Sequence, residues 1–165
     1  MAKNVTLTFK RAELLYDIKS ICFVEGDTKK VDQEHDRHQV MDVGEDGNVD
    51  RVTRVLDLTF AECVELCYPY SKTEVVDGLT QDDTLKEGDY VLTLSLRDTF
   101  SQTTIDLMRT SIHELLVCRG VADWMSITKK EAAADWLTKA EAAKQTVWMK
   151  LNGRMGRVRL KMTPF

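Results

Sequence analysis

Proline occurs only twice in the 165 residues and glycine only eight times, which excludes collagen-like, proline-rich and glycine-rich low-complexity classes. Long apolar runs are missing too. No stretch approaches the roughly 20 residues of a membrane span, and the start, Met1-Ala2-Lys3-Asn4, lacks the apolar core of a signal peptide. The expectation is a cytoplasmic protein with no membrane partner. Cysteine is sparse, and Cys22, Cys63, Cys67 and Cys118 fall inside apolar-periodic segments rather than in loops. That placement fits reduced thiols acting as small hydrophobes, with no disulfide. What is present is ample core material: 43% hydrophobic residues, including three Trp, five Phe, four Tyr and seven Met, beside 30% charged residues for solubility. A chain of this length and make-up is expected to form a single globular domain over residues 1–152, with residues 153–165 as a basic C-terminal arm or edge strand.

The net charge of −4 is too small to name a partner, but its distribution is uneven. From Glu25 to Asp50 nine acidic residues stand against three basic ones. From Ala142 to Phe165 there are six basic residues and no acidic side chain. The chain is acidic early and basic at its end.

Hydrophobic periodicity divides the chain into short strands and longer helices. Val5, Leu7 and Phe9 alternate with Thr6, Thr8 and Lys10, the period of a strand with one buried face. From Arg11 the period becomes helical through Leu14, Leu15, Ile18, Ile21 and Cys22, with Gly26 placed as a helix terminator. Residues 27–47 are polar and weakly periodic, so they are expected to form a long acidic loop. Asn48 is a suitable N-cap for a second helix facing inward through Val52, Val55, Leu56, Thr59, Cys63, Leu66 and Cys67, and Pro69 is expected to end it. After a polar connection, Tyr90, Leu92, Leu94 and Leu96 form one face of a second strand. A third helix runs from about Ser101 to Arg119, with Gly120 as a place to continue or break. Thr128 and Glu131 have capping-box spacing for a fourth helix with Ala133, Trp136, Leu137, Ala140, Val147 and Leu151 inward. Residues 157–162 alternate again and offer a third strand. The expected class is α+β: about four helices packed on a small antiparallel sheet of two or three strands. Leu15, Ile18, Leu56, Cys63, Leu94, Ile112, Leu116 and Trp136 are expected in the core.

Residues able to do chemistry are few and poorly placed for it. His35 and His38 flank Asp36 and could ligate a divalent metal, but the spacing is loose and the segment polar. Cys63 and Cys67 share a helical face with Val52, Val55, Leu56 and Leu66, which favours core packing over half a zinc site. His113 and Glu114 are adjacent on a helix, about 100° apart, and do not face one another. Phosphate loops, nucleophile elbows, zinc-protease motifs and calcium loops are lacking, and Gly44-Glu45-Asp46-Gly47 has the wrong ligand spacing for the last. These readings give an expectation of no catalytic residue, no cofactor, no metal and no enzymatic activity. The basic run is the stronger candidate. Arg154, Arg157, Arg159 and Lys161, with Phe165, can meet nucleic-acid phosphates, guard a solvated strand edge, or bind an acidic surface on another protein. A binder of single strands would interleave aromatics, which this run does not.

Three stretches carry a resemblance. They are His38-Gln39-Val40 with Asn48-Val49-Asp50-Arg51-Val52, leading to Cys67-Tyr68-Pro69-Tyr70; Tyr90-Val91-Leu92-Thr93-Leu94 with His113-Glu114-Leu115-Leu116-Val117; and Ala122-Asp123-Trp124 with Arg157-Val158-Arg159 and Pro164-Phe165. Together they resemble small uncharacterised proteins encoded among the virion genes of phages and prophages of gut bacteria. The resemblance implies a virion assembly component of head–tail connector or tail-completion type. It would be made in the host cytoplasm, form a homo-oligomer, contact other virion proteins and work by shape. The two strands depart from the small all-helical connector pattern. The alternative role is a nucleic-acid-binding accessory protein that uses the basic C-terminal strand.

Overall fold

The computed structural model describes residues 2–28, 34–73, 88–98 and 100–152. Strand β1 (Ala2–Phe9) leads through Lys10 into helix α1 (Arg11–Asp27). Helix α2 (Glu34–Met41), a 3₁₀ turn (Asp42–Gly44) and helix α3 (Asp46–Ser71) follow. Strand β2 (Tyr90–Arg97) then precedes a hairpin of two long helices, α4 (Gln102–Thr128) and α5 (Lys130–Asn152). The class is α+β, with five helices and a two-stranded sheet among the described residues. That is one helix more than the periodicity indicates. The third strand offered by residues 157–162 lies outside the described residues.

The strands pair antiparallel from Ala2↔Arg97 to Phe9↔Tyr90. Side chains alternate across the pleat, so Leu7, Phe9, Tyr90, Leu92, Leu94 and Leu96 are buried together on one face. The other face is mostly polar, with Val91 exposed on it, and carries the Thr6–Thr93 hydroxyl pair at 3.2 Å. The buried face lies on helices, with α3 packed against β2 and the Phe60 ring centre 4.9 Å from that of Tyr90, the two rings tilted by 38°.

Helix α4 is the centre of the core. Ser101 caps it by accepting from the Thr104 amide at 3.2 Å. It continues through Gly120, because a Cβ there would stand 2.7 Å from Ile18 Cδ1; the bare backbone is what lets α1 approach. Ile112, Leu116, Val121 and Met125 are fully buried, alongside Leu14, Ile18 and Cys22 of α1 and Leu56 and Cys63 of α3.

Several expected details are corrected. The segment 27–47 is not a continuous loop, since α2 and the 3₁₀ turn occupy much of it. Tertiary contacts hold α2: Trp124 donates its indole N–H to the Val40 carbonyl at 2.9 Å, and Met41 fills the space over Gly26. A helix with so little apolar surface gives no periodic signal. Helix α3 begins at Asp46, ahead of Asn48, whose amide instead donates to the Asp42 carbonyl at 2.8 Å. It passes Pro69 and stops at Ser71, where Lys72 turns left-handed at φ 54°. The Thr128–Glu131 capping box does not form. Thr128 is the last residue of α4 and donates to the Trp124 carbonyl at 3.1 Å. Leu15 and Trp136 are half-buried at the margin of the core, and Leu137 is exposed.

Candidate functional site

Four groups of polar and charged side chains stand out, three of which lock elements of the fold together. In the first, Asp57 of α3 sits on the buried stripe and accepts two hydrogen bonds at Oδ1. Tyr90 donates at 2.5 Å and Arg11 Nη2 at 3.2 Å. The Arg11 guanidinium also lies 5.2 Å from the centre of the Tyr90 ring, a cation–π contact. Burial first, then the neighbouring Asp57, raises the Tyr90 hydroxyl above its ordinary pKa. The arrangement fixes the starts of α1 and β2 against α3.

The second group joins the end of α1 to the α4–α5 corner. Lys129 donates to Glu25 Oε2 at 2.7 Å, to the Glu25 carbonyl at 3.1 Å and to Thr28 Oγ1 at 2.9 Å, while Trp136 donates to Glu25 Oε1 at 3.1 Å. Lys139 covers the Trp136 ring at 3.6 Å. Burial works against the Glu25 carboxylate, but the hydrogen bonds from Lys129 and Trp136 and the charges of Lys129 and Lys139 outweigh it and lower its pKa.

The third group is a surface chain: Arg119 stands 3.7 Å from Glu62 and 3.5 Å from Glu141, and Lys144 stands 3.4 Å from Glu62. These exposed pairs link α3, α4 and α5 and each contribute little.

The histidines and cysteines are placed as follows. His113 does not face Glu114; its Nε2 meets Asp17 Oδ2 of α1 at 2.7 Å. The pair lines an open cleft of about 620 Å³ with Ile21, Val117 and Trp136. Cys118, at the same cleft, has its thiol pKa raised by burial, which disfavours the nucleophilic thiolate. Cys22 and Cys67 are pushed up to about 12 by burial, and Cys63 is raised as well, by burial first and by Cys67. All four cysteines are buried free thiols. His35 and His38 lie on exposed faces of α2, and the His35 ring contacts Gln39 at 3.1 Å. Among the described residues no group of three or more His, Cys, Asp and Glu side chains is arranged to hold a metal ion. No helix of the described residues is long and apolar enough to cross a membrane.

The fourth group is the acidic segment, which the fold turns into a fixed corner. Glu34 and Asp36 of α2, Asp42 of the 3₁₀ turn, Glu45 at the α3 N-cap, and Asp46 and Asp50 of α3 are all exposed. Their carboxylates form no ion pair with another described residue, whereas Arg37 is held by Asp27 and Arg51 by Asp123. Acidic groups at the start of α3 are also favoured by the helix dipole. The corner is anchored by Trp124–Val40 and by Met41 over Gly26, both at the α4–α5 end of the molecule. The basic partner-binding residues Arg154, Arg157, Arg159, Lys161 and Phe165 lie outside the described residues. Their point of attachment does not: Tyr70, at the far end of α3, donates to the Leu151 carbonyl at 2.8 Å. The 26 residues of α3 therefore separate the acidic corner from the root of the basic arm, by roughly 39 Å at 1.5 Å per residue. No signal in the sequence tells that the acidic corner and the end of α5 at Leu151 stand at opposite ends of α3. The partners of Asp57 and Glu25 were equally hidden, though Asp57 announces itself as a carboxylate in phase with Thr53 and Phe60.

No protein-family model matches the chain, and no curated protein or solved structure matches it either.

Proposed function

We propose that this chain is a structural subunit of phage or prophage virions, of head–tail connector or tail-completion type, acting by protein–protein docking and not by catalysis. The observation that supports this reading is the placement of the acidic corner at one end of α3 and of Leu151, two residues before the basic arm in sequence, at the other. A contact between unlike surfaces of identical copies propagates head to tail, and it closes into a ring when the rotation allows. In this reading the arm residues Arg154, Arg157, Arg159, Lys161 and Phe165 engage the acidic corner of the next copy, and Glu34, Asp36, Asp42, Asp46 and Asp50 receive them. The subunit is made in the host cytoplasm and ends in the virion, with a homo-oligomer and other virion proteins as its partners.

The test is truncation after Asn152. The shortened chain is expected to keep the melting temperature of the full chain but to sediment as a smaller species. Raising the ionic strength should move the full chain in the same direction, because exposed charge contacts are screened. A truncated chain that assembles as before removes the arm from the interface. One that no longer folds makes the arm part of the core. Either result overturns the reading.

A further inference from the structure

The open cleft of about 620 Å³ between α1, α4 and α5 falls within the roughly 300–1,000 Å³ range of small-ligand sites. Ile21, Val117 and Trp136 give it apolar walls. Its charged groups divide into a closed pair and two open members. Asp17 and His113 satisfy one another at 2.7 Å, so neither calls for a charge from outside. Glu114 and Lys139 also line the cleft, but among the described residues neither has an ion-pair partner. The Lys139 ammonium is instead held 3.6 Å from the centre of the Trp136 ring, and the nearby Glu25 is already bound by Lys129 and Trp136. After burial, these two charges are what move the Cys118 thiol, Glu114 raising its pKa and Lys139 lowering it, so both stand close to one point of the cleft wall. An anion and a cation thus face one apolar cleft without neutralising each other.

We infer that this cleft binds a free α-amino acid with an apolar or aromatic side chain, its ammonium on Glu114 and its carboxylate on Lys139. The side chain lies against Ile21, Val117 and Trp136. An α-amino acid carries its ammonium and its carboxylate on the same carbon, so it can bridge two groups that stand too far apart to pair directly. Each end then makes a charge-assisted hydrogen bond, and burial of the side chain adds the non-directional part of the affinity. Net charge agrees with this choice, because the zwitterion is neutral and so are the two open groups taken together. A purely anionic ligand would be opposed by Glu114 and a purely cationic one by Lys139. A long peptide holds its terminal charges too far apart to reach both groups. The site uses neither the acidic corner nor the basic arm, and it does not rest on the docking reading.

The experiment titrates the full chain, by calorimetry, with three probes: L-phenylalanine, N-acetyl-L-phenylalanine, which lacks the ammonium, and L-phenylalaninamide, which lacks the carboxylate. L-Phenylalanine is expected to bind at about millimolar concentration or below, and each blocked analogue at least about tenfold more weakly, because each leaves one charged group of the site unpaired. Glu114→Gln and Lys139→Gln then remove the two charges in turn. Both side chains are exposed, so neither replacement reaches the core. Each is expected to weaken L-phenylalanine by at least about tenfold, and Glu114→Gln to erase its advantage over the N-acetyl form. Equal binding of the three probes overturns the inference. So does binding of L-phenylalanine that survives both replacements, and so does no binding at about ten times the expected concentration. The analogue series uses the unaltered chain and therefore decides the matter even where a variant loses stability. Truncation after Asn152 tests the arm alone, so a failure there leaves the amino-acid titration as an independent result.

Discussion

The ammonium of Lys129, the residue between α4 and α5, lies 2.7 Å from Glu25 Oε2 and 3.1 Å from the Glu25 carbonyl oxygen. A cation supplied by one helix pair thus closes the C-terminal end of another helix, where the last carbonyls and the dipole favour positive charge. The contact fixes the tilt of α1 on the hairpin. Together with Trp124–Val40, it gathers the ends of α1, α2 and α4 at the pole that bears the acidic corner.

Acid should weaken this closure. Glu25 has its pKa lowered in the folded chain from an ordinary value of 4.5, so its contribution to stability is fully present above that value. The contribution is lost as pH falls through the folded-state pKa, when the carboxylate takes up a proton and Lys129 loses its anionic partner. Glu25→Gln should be less stable than the unaltered chain at pH 7, and the gap should narrow below about pH 4.5. Urea denaturation at a series of pH values measures it. A gap that stays constant down to pH 3 would show that Glu25 is not the group responsible.

Asp57 gives a second expectation. It holds both the Tyr90 hydroxyl and the Arg11 guanidinium, and Arg11 is only 17% exposed along its side chain. Removing the carboxylate strands a largely buried cation, so Asp57→Ala should cost about 3–5 kcal/mol. Tyr90→Phe keeps the ring against Phe60 and the Arg11–Asp57 pair, and should cost about 1–2 kcal/mol. Denaturant midpoints of the two variants decide the matter: equal losses would mean that Arg11 finds another partner, and the charge argument would fail.

The legible part of this fold is the part whose burial is periodic. The alternation of β2 and the stripes of α1 and α3 appear in the chain as they appear in space, because one face of each meets the core, whereas α4 is buried on nearly every side from Leu115 to Met125. Helix α2 was illegible for the opposite reason: it buries a single residue, Val40, and is held by an indole from α4 that lies 84 positions away. Thr128 and Glu131 had the spacing of a capping box, yet the hairpin corner used that turn to finish α4, and long-range packing overrode a local motif. Trp136 is large and in phase with the buried stripe of α5, which predicts a place inside. It sits at the margin because its N–H reaches Glu25 there and its ring face is taken by Lys139. The acidic and basic segments could be counted in the sequence. The placement of the acidic corner and of Leu151 at opposite ends of α3 could not, since it depends on the antiparallel return of α5 and on the Tyr70–Leu151 bond.

The anchoring of α2 gives the last expectation, and it ties the fold to the proposed docking. Trp124 is 6% exposed, and its indole N–H is the hydrogen-bond donor to the buried Val40 carbonyl. Trp124→Phe preserves most of the apolar contact but removes the donor, leaving a buried carbonyl unsatisfied at a cost of about 1–3 kcal/mol. Because α2 buries so little of its own, the loss should be felt first as local opening of residues 34–41 rather than as global unfolding. Amide hydrogen exchange should therefore quicken in α2 while the amides of α4 and α5 near Leu116 and Val147 stay slow. An acidic corner that opens no longer presents Glu34, Asp36 and Asp42 at fixed positions, so assembly of the full chain should weaken at unchanged melting of the core. Faster exchange spread evenly over all helices would show that Trp124 supports the whole core. Quickened exchange in α2 with unaltered sedimentation would separate the corner from docking and leave it a solvated acidic face.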